Sequence, residues 1–170
     1  MENKNKKVNE SEIKNLISKL ESNDGSERQQ AREELVKIGR DSIDYLSSLV
    51  THHKHIYRWE AVKTLAEIGD PVAIPLLIQA LEDDVVGVRW IAAEGLIKLG
   101  RHSVKPLLEI LTKKSDSVFI LEGVHHVFYD LREKNELPKG FPTEKLLSAL
   151  KNSEWAASAI PLVIELLKQN

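Results

Sequence analysis

The chain has no cysteine. That removes disulfides, thiolate nucleophiles and cysteine-ligated metals. Aromatic residues are scarce, at 5%, so any core has to be built from Leu, Ile, Val and Ala, a mix that suits helices packed at short range. No stretch approaches the roughly 18 uninterrupted apolar residues of a membrane span. Met1 to Glu12 is polar and charged, without the apolar run of a secretory leader, so a cytoplasmic protein away from membranes is expected. Neither sign of charge dominates: 24 Lys and Arg stand against 26 Asp and Glu, a formal net of −2, which argues against a globally basic binder of nucleic acid. There is no phosphate-binding loop, Ser-His-Asp set or acid pair of recognisable spacing. The expectation is a chain that is not an enzyme, takes no cofactor and binds no metal.

What the chain does have is a repeat. Arg58-Trp59-Glu60-Ala61 through Ile68-Gly69 nearly recurs as Arg89-Trp90-Ile91-Ala92 through Leu99-Gly100, a period of about 31 residues. Apolar residues follow helical spacing throughout: Ile13, Leu16, Ile17 and Leu20 mark one helix face, and Ile43, Leu46, Leu49 and Val50 another. Gly39, Gly69 and Gly100 stand just past apolar runs, where a helix stops. Aligned on Ala31, Ala61, Ala92 and Gly123, the second helix of each pair shows Leu35, Leu65, Leu96 and Val127 four residues on, and Ile38, Ile68 and Leu99 seven residues on. Small residues let paired helices approach, and branched ones fill the layers between repeats. The expected fold is all-α: a right-handed α-α superhelix of about five helix pairs, roughly 11–39, 41–69, 70–100, 102–134 and 142–169. Residues 1–10 read as a disordered polar tail, and 11–170 as a single domain. Pro161 suggests a kinked last helix, in which Ala159-Ile160-Pro161-Leu162 echoes Ala73-Ile74-Pro75-Leu76 from a first helix.

Gly69-Asp70-Pro71, then Ala73 to Leu76, then Val88-Arg89 through Leu99-Gly100 resemble the HEAT-like repeats, in particular their short phycobilisome-lyase-type subclass. The resemblance is strong over residues 27–111 and fades beyond 131. It implies a solenoid whose second helices line a concave groove. It also allows a bilin-lyase-like or other enzyme-accessory role, or a nucleic-acid binder of the HEAT-like glycosylase type. Glu33, Glu67 and Glu94 on the expected groove argue against the last. One HEAT-like hydroxylase carries His-Glu pairs in its repeats. The matching slots here hold Trp59-Glu60 and Trp90-Ile91, which does not support that activity.

Three sets of side chains are candidates. Arg28, Arg58 and Arg89 form a column that reads either as a basic ladder or as ties to loop carboxylates such as Asp24, Asp83 and Asp84. Trp59 and Trp90, one position on, stand in register with Leu121 and Trp155, an apolar strip for a partner or a shield over the core edge. Lys63, Glu94, His125 and Tyr129 would form its polar rim, or an ordinary solvated helix face. His52, His53 and His55 share a connector without converging ligands, and adjacent His125 and His126 diverge on a helix. The reading is a monomeric, non-catalytic interaction module or scaffold that binds another protein in its groove.

Overall fold

The computed structural model describes the backbone of residues 10–151 and 153–169, and within them the side chains other than those of 153–158 and 169. The expected polar tail, except Glu10, and the Trp155 side chain lie outside the described residues. Helix α1 spans Glu10–Lys19 and α2 Gly25–Ile38. Asp24 caps α2 by accepting from the Ser26 amide at 2.8 Å. A 3-10 turn over Gly39–Ser42 leads into α3, Ile43–Val50, and α4 follows over His55–Ile68. Gly69 ends α4 in the left-handed conformation, φ 66° and ψ 29°, which a side chain would strain. Asp70 accepts from the Val72 amide at 2.9 Å, and a 3-10 turn, Pro71–Ala73, opens α5, Ile74–Ala80, with Pro75 in its first turn as the sequence allows. Next come α6, Val86–Lys98, and α7, Arg101–Lys113, which holds Pro106 internally. Then α8 runs Val118–Glu133, α9 Thr143–Leu150, and α10 Ser153–Gln169 with Pro161 inside it.

These helices make the α-α solenoid that the period predicts. One layer stacks α1, α3, α5, α7 and α10; the other stacks α2, α4, α6, α8 and α9. The final pair therefore enters in reversed order, with α9 extending the second-helix layer and α10 packing on α7. That reversal accounts for the first-helix character of Ala159 to Leu162. Between the layers Leu35, Leu65, Leu77, Leu96, Leu107 and Phe128 are fully buried. Each such side chain is worth about 1.5–3 kcal/mol of transfer free energy, and neighbouring pairs share it because no pair can enclose its own apolar face.

The buried positions also show how the repeats align. Ala31, Ala61, Ala92 and Val124 are equivalent, as are Leu35, Leu65, Leu96 and Phe128. The step grows from 30 to 31 to 32 residues along the chain. The sequence alignment on Gly123 is thus one residue out in the fourth repeat, a correction that decides which side chains share a face.

The arginine column is structural. Arg28, Arg58 and Arg89 each donate from Nη1 to a carbonyl six residues back, Ser22 at 2.8 Å, His52 at 2.9 Å and Asp83 at 2.7 Å. Each guanidinium so closes the turn between the helices of its own pair. Arg58 also pairs with Asp83 at 2.6 Å and with Asp84, tying adjacent repeats. Arg28 finds Glu60 rather than Asp24, with Nε 3.1 Å from Oε1.

Candidate functional site

The second-helix layer presents two equivalent grooves, two repeats apart. The first lies between α6 and α8 and has a cavity of about 260 Å³. Val86, Arg89, Trp90 and Ala93 enter it from α6 at helical spacing. Phe119, Glu122, Gly123 and His126 enter from α8 at the same spacing. Ala93 and Gly123 line its inner wall with almost no side chain. A Cβ on Gly123 would come within 2.8 Å of Leu81 Cδ2, so glycine leaves room for that side chain. The rim is unusually apolar for an exposed surface: Val86 is 68% exposed, Trp90 57% and Phe119 40%. The Trp90 and His126 rings stack with centroids 4.8 Å apart. His126 is held from two sides, Nε2 3.3 Å from Glu94 and Nδ1 3.5 Å from Asp130. The Arg89 guanidinium lies 4.1 Å from the Phe119 ring centroid, which stiffens the opposite wall.

The second groove, between α2 and α4, is the same place in the repeat with different chemistry. Where the first has Ala93 and Gly123, this one has Arg32 and Glu60, and where the first has Phe119 it has Ile56. Arg32 Nη1 donates to Glu60 at 2.6 Å, and both residues are buried. Trp59 lines this groove, half-buried, with the Lys63 ammonium 4.6 Å and the Arg32 guanidinium 5.9 Å from its ring centroid.

Several placements therefore differ from the sequence reading. Trp59 and Trp90 line separate grooves instead of one strip. Leu121 is core, 3% exposed, because the extra residue before α8 moves it into the arginine column. The tryptophan column reads Gln29, Trp59, Trp90 and Glu122, polar at both ends. His125 and Tyr129 leave the rim for the same reason, and His126 and Asp130 take their places beside Glu94. His125 falls in the column of Arg32, Val62 and Ala93, and its buried Nε2 has no hydrogen-bond partner among the described residues. Burial first, then the charges of Lys151, His126 and Arg132, hold the His125 imidazole below its usual range. Its ring stacks on Tyr129 at 6.5 Å, and Arg132 in turn covers Tyr129. Arg32 and Glu60 are the functional candidates that sequence reading missed. A charged residue in the column of Val62 and Ala93 was their one signal.

The model of the HEAT repeats matches residues 13–97, half of the 170-residue chain. The chain belongs to the HEAT-repeat family. No curated protein matches it in sequence. Among solved structures, this HEAT-repeat chain is similar to one in the complex of CpcE and CpcF of phycocyanin lyase from Nostoc sp. PCC7120. Identity is 24% over 93% of this chain and 98% of that one, with a TM-score of 0.61. The likeness shows a shared solenoid. It also overturns the expectation that the chain is no enzyme, since a protein of this architecture and length is part of a lyase. The missing local motif was a poor guide: a solenoid joins residues as distant in sequence as Glu94 and His126, 32 positions apart. Among the described residues no helix is long and apolar enough to cross a membrane.

Proposed function

We propose that this HEAT-repeat chain is a subunit of a lyase-type enzyme assembly and holds a partner protein on the α6–α8 groove. The observation that carries the reading is the apolar rim of Val86, Trp90 and Phe119 around a small-residue inner wall, open on the surface of a solenoid. At about 260 Å³ the cavity falls just under the roughly 300–1,000 Å³ of small-molecule pockets. It suits one or two anchor side chains of a protein. Trp90 is half in place already, stacked on His126, so little rotamer freedom remains to be lost on docking. Glu94, Glu122 and Asp130 supply a polar border of the kind that surrounds interface anchors. The likeness to a chain from the CpcE–CpcF complex supports a protein partner and a place in enzyme chemistry.

The test is site-specific photocrosslinking in the source cells. Benzoylphenylalanine in place of Val86, on the rim, should give one discrete adduct identifiable by mass spectrometry. The same probe in place of Val72, exposed beside α5, should not. Equal labelling from both sites, or none from Val86, would refute the groove.

A further inference from the structure

We propose that the α2–α4 groove is a second, separate docking site that takes an acidic segment of a partner protein. This site rests on the reading of the chain as a protein-binding solenoid but uses a different surface. Its lining includes three basic side chains, Arg28, Arg32 and Lys63, against one carboxylate, Glu60. Glu60 is 3% exposed and shared by two arginines, Arg28 Nε at 3.1 Å and Arg32 Nη1 at 2.6 Å. Glu67 approaches Arg32 Nε at 3.4 Å from outside that lining, yet Nε makes no hydrogen bond among the described residues. Arg32 is itself 8% exposed, and Glu60 and Glu67 answer its charge from two sides. With Lys63 added, the groove keeps a net positive charge, which favours an anion in a cleft with apolar walls.

The rest of the lining indicates what kind of anion. Trp59 and Ile56 supply an apolar wall, and Lys63 sits over the indole without a carboxylate partner among the described ion pairs. A simple phosphate needs donors converging on one point. Here Arg28 Nε and Nη1 are committed to Glu60 and to the Ser22 carbonyl, and Arg32 Nη1 to Glu60. Charge spread along an apolar wall fits alternating carboxylates and aliphatic side chains of an extended segment. The α6–α8 groove lacks this pattern, since its inner wall is Ala93 and Gly123. The two grooves would thus read different parts of a partner.

The experiment follows the indole N–H signals of the full-length protein by NMR, assigned through single Trp→Phe variants. The probe is the capped peptide acetyl-Glu-Leu-Glu-Leu-Glu-amide, with its Gln-Leu-Gln-Leu-Gln counterpart and inorganic phosphate as comparisons. The acidic peptide should move the Trp59 signal saturably and leave Trp90 in place. Lys63→Glu should weaken that titration at least about fivefold, and Lys63→Gln by less. Raising salt from about 0.1 M to about 1 M, which cuts the screening length from about 10 Å to about 3 Å, should weaken it too. An equal response to the glutamine peptide would leave only an apolar groove, and an equal response to phosphate only a simple anion site; either overturns the assignment. So does an unmoved Trp59, or a titration indifferent to Lys63→Glu. A Val86 crosslink with a silent Trp59 removes this site alone and leaves the α6–α8 groove standing.

Discussion

The Trp90 indole stacks on the His126 imidazole with planes 29° from parallel, and this contact marks where the repeat gains a residue. Without that residue Trp90 would face His125. With it, His126 lies between Trp90, Glu94 and Asp130, while His125 falls in the buried column of Arg32, Val62 and Ala93.

Arg58 and Asp83 join two repeats with side chains 11% and 5% exposed. Burial pushes the Asp83 carboxyl up, but hydrogen bonds from Arg58 and the Val85 amide outweigh it and hold the group below the usual carboxylate range. A depressed folded value gives stability that is complete above the unfolded value of about 4 and lost as pH falls through the folded one. Asp83→Asn should cost roughly 2–3 kcal/mol at neutral pH, below the range for a fully buried pair because Asp84 still faces Arg58. Its acid-unfolding limb below about pH 4 should be flatter than that of the unaltered protein. Urea titrations at pH 7 and at pH 3 check both effects.

Gly95 and Gly123 separate helix propensity from packing. Alanine is the better helix former by about 1 kcal/mol, yet a Cβ at Gly95 would lie 2.9 Å from the Ala66 Cβ, which cannot rotate away. Gly95→Ala should therefore be net destabilising by about 1–2 kcal/mol. At Gly123 the obstructing atom is Leu81 Cδ2, the end of a flexible side chain, so Gly123→Ala should cost less. Thermal melts of the two variants should show that order.

His125 predicts a pH effect of the opposite chemical type. Its folded value is depressed, so on acidification the unfolded chain takes up a proton near pH 6.5 before the native state does, and stability falls below that pH. His125→Phe removes both the titration and the unpaired Nε2. The variant should be at least as stable as the unaltered protein at pH 7.5 and should lose less stability between pH 7.5 and 5.5.

The solenoid was legible in the sequence because its signals are local. Periodic Leu and Ile columns, the stop at Gly69, and Asp70-Pro71 all act within one repeat. The groove was not legible, because it depends on register between repeats. Arginine would have marked the fourth repeat as it marks the first three, but Leu121 stands there, and Gly123 mimics the small residue whose true place is taken by Val124. The reversed order of α9 and α10 was visible only as a conflict at Ala159 to Leu162. It follows from packing against α8 and α7, which no periodicity encodes.

The affinity of the protein crosslinked at Val86, measured against the unaltered chain and against Trp90→Ala, tests the central claim most directly. Trp90 is 57% exposed, so its truncation should leave the melting temperature within about 2 °C. As an anchor it should contribute about 2 kcal/mol or more, and Kd should rise about thirtyfold. A Kd within about twofold of the unaltered value, with the fold intact, would contradict the α6–α8 groove as the partner site.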